Sequence, residues 1–85
     1  MKIYYSSKFA REYKSLPMIV KKKAEKQEKL FRNNQFDLKL KTHKLSGVLK
    51  DFWAFSIDHK YRIIFEFTDE KTIWFHSTGD QSIYQ

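Results

Sequence analysis

Arg62 is the residue of this chain best suited to handle an anion. It interrupts an apolar run, Y-R-I-I-F from Tyr61 to Phe65, where a solvated lysine would be the ordinary charged choice and where a guanidinium fork matches the oxygens of a phosphate. A salt bridge to Glu66 or Asp58 is the competing role. His43 is flanked by Lys41 and Lys44, and an imidazole there can act as acid or base near neutral pH. Lys39, Lys41, Lys44 and Lys50 suit electrostatic contact with RNA phosphates better than proton transfer. The chemistry such a set permits is metal-free cleavage of a phosphodiester, which in RNA means attack by a 2′-OH on the adjacent phosphate. That reaction needs a base at the hydroxyl, a cation for the phosphorane charge and an acid for the departing 5′-oxygen. No acidic cluster suggests a two-metal site, and His43, His59 and His76 are not at metal-ligand spacing. Neither a glycine-rich phosphate loop nor a Ser-His-Asp arrangement is visible, so no metal and no cofactor are expected. His59 falls in a turn and reads as an ordinary exposed residue.

Charge supports an anionic partner. Residues 1–50 carry 14 Lys or Arg against 4 Asp or Glu, whereas residues 51–85 carry 3 against 6. Such a basic half suits nucleic acid first and an acidic protein second, although Lys21, Lys22, Lys23, Lys26 and Lys29 also fit a solvated helix face. With 85 residues the chain is sized for one modest core. Two Gly, one Pro and an 18% aromatic content argue against a disordered segment. The absence of Cys fits a reducing cytoplasm. No apolar run approaches the roughly 20 residues of a membrane span, and no signal-peptide stretch is expected at the start. A cytoplasmic protein without a membrane partner is the expectation.

Positioning these residues takes a strand, two helices and a sheet. Ile3–Tyr5 is β-prone, and Ser6 or Ser7 can cap a helix that repeats Phe9, Tyr13 and Leu16. Pro17 suits the first turn of a second helix, whose buried stripe is predicted as Ile19, Val20, Ala24, Gln27, Leu30 and Phe31, ending at Asn33–Asn34. Glu25 with Lys29 and Glu28 with Arg32 are i,i+4 pairs in the favourable order. Strands are predicted at Phe52–Ile57, Tyr61–Phe67 and Thr72–Ser77, with two-residue turns at Asp58-His59 and Asp69-Glu70. That register groups Tyr61, Ile63, Phe65 and Phe67 with Phe52, Ala54, Trp74 and His76. Arg62, Ile64 and Glu66 then join Trp53, Phe55, Ile73, Phe75 and Ser77 on the opposite face. His76 thus points away from Arg62, in a packing role. The fold class is α+β, an N-terminal strand and α-hairpin packed on an antiparallel sheet.

Three blocks, T-H-K-L-S-G (Thr42–Gly47), F-W-A-F-S-I-D-H-K-Y-R-I-I-F-E-F (Phe52–Phe67) and F-H-S-T-G-D-Q-S-I-Y (Phe75–Tyr84), resemble the RelE/ParE superfamily of bacterial toxins. The likeness is strongest to the ribosome-dependent mRNA interferases of the RelE, YoeB and YafQ type. It implies a RelE-like β-α-α-β-β-β fold and one toxin domain over residues 1–85. It also implies a toxin of a type II toxin–antitoxin system that cleaves mRNA. The implied partners are a cognate acidic antitoxin, the ribosome and mRNA, with no small-molecule substrate. Y-R-I-I-F matches the family strand that presents a catalytic arginine, here Arg62. His43 matches the H-x-L-x-G segment at the rim of the site. The closing F-x-x-x-G-T-H-x-x-[YF] pattern is met by Gly79 and by Tyr84, an aromatic able to stack on a base. Asp80 replaces its Thr, and Gln81 replaces its His. Glutamine can hydrogen-bond a phosphate but exchanges no proton near neutral pH. The resemblance therefore implies a set of Arg62, His43, Gln81 and Tyr84 with weakened or rerouted catalysis, since losing a general acid costs ~10²–10⁴ in rate. Asp80 adds a negative charge that repels phosphate, and His43 is the imidazole left to compensate. Two other readings stay open: a ParE-like inhibitor of DNA gyrase, and a catalytically silent relative that only binds an antitoxin.

Overall fold

Ser6 decides where the chain turns from strand to helix. In the computed structural model, which describes residues 1–84, strand β1 (Lys2–Tyr5) ends at Ser6, whose extended backbone (φ −68°, ψ 161°) precedes helix α1 (Ser7–Lys14). The Ser6 hydroxyl accepts from the Phe9 amide at 2.9 Å and donates to the His76 carbonyl at 2.9 Å. One side chain thus caps the helix and ties it to a distant strand. Replacing Ser6 by Ala is expected to cost about 1 kcal/mol, read as a lower urea midpoint at an unchanged m-value.

Helix α2 (Met18–Asn33) starts after Pro17 and ends at Asn34, whose amide bonds to the Leu30 carbonyl. Its buried side chains are Val20, Ala24 and Phe31, with Leu30 and Gln27 half-buried. Ile19 departs from the predicted stripe at 65% exposed. It sits in the first turn, one position off the Val20–Ala24–Gln27–Phe31 line that faces the sheet. Of the two predicted helix pairs, Glu28–Arg32 forms at 3.4 Å, and no Glu25–Lys29 bridge is found among the described residues.

Strands β2 (His43–Lys44), β3 (Trp53–Ser56), β4 (Arg62–Asp69) and β5 (Thr72–Gly79) complete a five-stranded sheet in the order β1-β5-β4-β3-β2. The sheet is mixed rather than wholly antiparallel, because β1 lies parallel on the free edge of β5. The short β2, not anticipated as a strand, closes the other edge against β3. Both helices cover one face. Phe9 meets Phe75 at 5.4 Å, and Phe31 meets Phe55, Phe65 and Phe75 at 4.8, 4.9 and 5.5 Å.

The register departs from the two-residue turns by one residue. Trp53 lies opposite Phe65 and Ser56 opposite Arg62, which makes Ile57–Tyr61 a five-residue connection. Asp58 shapes that loop: its carboxylate accepts from the Lys60 and Tyr61 amides at 2.9 and 2.8 Å. The extra residue flips all of β4. Ile63 and Phe65 enter the helix-covered core, and Arg62, Ile64 and Glu66 turn to the open face with Ala54 and Trp74. A bulge adds a second departure. Phe65 pairs with Phe75 and Ile64 with Ser77, so His76 between them is unpaired.

Candidate functional site

Arg62 opens β4 and sits half-buried at the end of the open face. Its guanidinium donates to the Tyr61 carbonyl at 3.1 Å, to the His59 carbonyl at 3.4 Å, and to the Asp58 carbonyl. Neither Glu66 nor Asp58 pairs with it: Glu66 binds His76 at 2.9 Å and Asp58 faces Lys23 at 3.6 Å. The charge is therefore held in place by carbonyl dipoles, without a carboxylate partner among the described residues. Three of the five N–H donors of a guanidinium are occupied, which leaves others for an anion.

Tyr84 is Arg62's neighbour from the 3₁₀ turn Gln81–Tyr84. Its hydroxyl is buried and meets no partner at hydrogen-bonding geometry among the described residues. Burial pushes its pKa up, and Arg62 pulls the other way through its charge and through its approach as a donor, short of a well-formed hydrogen bond. A buried donor without a partner beside an uncompensated cation is an arrangement that an incoming oxyanion would complete.

Gln81 is exposed in the same turn and lines a cleft with His59, Lys60, Asp80 and Ser82. Asp80 accepts from the Ser82 amide at 3.0 Å and the Ser82 hydroxyl at 2.7 Å. These bonds hold its carboxyl below the usual range, so it is ionised at neutral pH. The Asp58 carboxyl is also lowered: burial opposes its charge, but the Tyr61 and Lys60 amides and the Lys23 charge outweigh it.

His43 is not brought to Arg62. It is exposed on β2 opposite Ala54, which in turn lies opposite Ile64. Two strand spacings and a two-residue offset put its Cα about 12 Å from that of Arg62. Its Nδ1 is 3.0 Å from the Lys41 carbonyl. Lys39, Lys41, Lys44 and Lys50 are all exposed and belong to the connection from α2 to β3. None is in a salt bridge among the described residues, so they form a basic flank along the β2 edge.

Two readings of the histidines change. His76 shares the open face with Glu66, against the prediction, and meets the Phe52 ring edge-to-face at 5.0 Å. It still serves packing and a hydrogen bond to Glu66, but on the side of the sheet that Arg62 occupies. His59, read from sequence as unremarkable, is the imidazole in the cleft beside Gln81. The signal for it lies in Asp58, because an Asp that can accept from amides two and three residues on favours a longer loop than a tight hairpin. Among the described residues, no three His, Cys, Asp or Glu side chains converge to hold a metal ion.

No family model and no curated protein sequence matches the chain. Solved structures do. YafQ from E. coli aligns over 98% of this chain and 96% of its own at 23% identity, with a TM-score of 0.76. A YoeB/ParE toxin from Agrobacterium tumefaciens covers 95% and 99% at 13% identity and a TM-score of 0.79. A chain of the RelB–RelE antitoxin–toxin complex from Methanococcus jannaschii covers 96% and 95% at 24% identity and a TM-score of 0.74. At these identities the likeness is one of fold, and the fold of this chain is that of the RelE, YoeB and YafQ toxins.

Proposed function

We propose that residues 1–85 act as the toxin domain of a type II toxin–antitoxin pair and cleave mRNA on the ribosome without a metal. One observation carries this reading: Arg62 is fixed by carbonyls on an open sheet face, without a carboxylate partner among the described residues, next to the unpartnered Tyr84 hydroxyl. A phosphate seated there receives the remaining guanidinium donors and the phenol, and the charge that grows on its oxygens during attack is stabilised where it forms. The exposed Lys39, Lys41, Lys44 and Lys50 run along the β2 edge and hold flanking phosphates, with His43 among them as the candidate base. The antitoxin is expected to be acidic, as the excess of cations in residues 1–50 requires of a protein partner. That one similar fold was solved as an antitoxin–toxin complex supports such a partner.

Inducible expression with transcripts mapped at nucleotide resolution tests the reading. Arrest of translation with cut messages supports it. DNA breaks that depend on gyrase, with intact messages, would replace it by gyrase inhibition, and neither effect would leave an antitoxin-binding protein without this activity. Gln81→His supplies a further imidazole in the cleft beside Asp80, and a rise in cleavage rate of about tenfold or more would show that proton transfer there limits the wild type. An unchanged rate would show that another group already serves the leaving oxygen.

A further inference from the structure

We infer that His59 is the proton donor for the departing 5′-oxygen, an assignment that rests on the ribonuclease reading above. The cleft formed by the loop that Arg62 binds and by the turn after β5 is lined by His59, Lys60, Asp80, Gln81 and Ser82. Breaking a P–O5′ bond in it requires a group that releases a proton near neutral pH. Imidazole is the only side chain of that kind in the lining. Gln81 and Ser82 can only hydrogen-bond at that pH, and Asp80 is ionised and bound to Ser82. Lys60 lies 5.6 Å over the Tyr61 ring, and an ammonium is a far weaker acid than an imidazolium.

The backbone places His59 as well as the cleft does. Its carbonyl accepts from the Arg62 guanidinium at 3.4 Å, so the group that would hold the phosphate also pins the residue that would protonate its leaving group. Asp58 braces the loop from the other side through the Lys60 and Tyr61 amides and through Lys23. The charged groups that share the loop or the cleft with His59 are Asp58, Lys60, Arg62 and Asp80, with Lys23 on Asp58. The candidate base His43 lies two strands away on β2, with β3 between it and Arg62's strand.

The 2′-oxygen forms a bond to phosphorus as its proton passes to the His43 imidazole. The P–O5′ bond breaks, its electron pair goes to O5′, and O5′ takes the proton of the His59 imidazolium. The products are a 2′,3′-cyclic phosphate and a 5′-hydroxyl, and the two imidazoles have exchanged protonation states.

Ribosomes programmed with a short message, in single turnover, test this. Two messages are compared, one ordinary and one with sulfur replacing the 5′-bridging oxygen at the linkage the wild type cuts. A thiolate leaves without protonation, because a thiol is far more acidic than an alcohol. His59→Gln is expected to slow the ordinary linkage by ~10² or more and to leave the sulfur linkage near the wild-type rate, whereas Arg62→Ala slows both. Equal rates for His59→Gln and wild type on the ordinary message overturn the assignment and leave the ribonuclease reading intact. Equal losses on both linkages also overturn it, by making His59 a binding or structural residue. A wild type that cuts neither message overturns the ribonuclease reading and this assignment together. His59 is exposed, so the variant is expected to unfold like the wild type in a parallel melt.

Discussion

Arg62→Ala is expected to slow cleavage of ribosome-bound mRNA by ~10²–10³, the usual loss when one donor to a developing oxyanion is removed, and to abolish growth arrest on expression. The guanidinium has no carboxylate partner among the described residues, so its charge is not already spent inside the protein. Arg62→Lys keeps the charge but loses the planar fork that spans the Asp58, His59 and Tyr61 carbonyls, and is expected to recover only part of the rate. Both variants should fold, because the side chain lies at the end of a strand and outside the aromatic core. Circular dichroism and antitoxin co-purification check that. Full growth arrest with Arg62→Ala would place the site elsewhere.

Phe31→Ala is expected to be the most damaging single change to stability. Phe31 is 0% exposed and its ring meets Phe55, Phe65 and Phe75, so it joins α2 to three central strands at once. Truncating such a ring costs about 3–5 kcal/mol through lost transfer energy and the cavity left behind. Small domains have only about 5–15 kcal/mol in total. Loss of a cooperative melt near 37 °C, or a large fall in urea midpoint, is the expected result. A melting temperature within a few degrees of the wild type would mean that the core does not centre on this ring.

Much of the fold was legible along the chain because its signals are local. Ser6 caps α1 through an amide three residues on, and Asn34 ends α2 where the amide side chains cluster. The alternation in β3 and β5 correctly placed Trp53 and Phe55 with Ile73 and Phe75. The face of β4 was not legible. One additional residue in the Ile57–Tyr61 loop, held by Asp58, shifts β4 against β3, and an irregularity between Phe67 and Asp69 shifts it against β5, which turns Phe65 and its alternating neighbours to the opposite face. Because β4 carries aromatic or aliphatic residues on both faces, hydrophobicity could not choose between the two registers.

The amino-acid sequence by itself determined the residue types available for chemistry, the basic half and acidic half, the order of helices and strands, and Arg62 as the cation to examine. These follow from composition and from periodicities a few residues long. Only the tertiary structure decided what surrounds Arg62. It brought the Asp58–Tyr61 loop and the Gln81–Tyr84 turn to the guanidinium, and it left His43 two strands away. It also placed His59, an ordinary turn residue by sequence, in the cleft with Gln81. The reason is that strand register and loop length are set by pairing across the sheet, as between Trp53 and Phe65 or Arg62 and Gly79, and no local pattern carries that information.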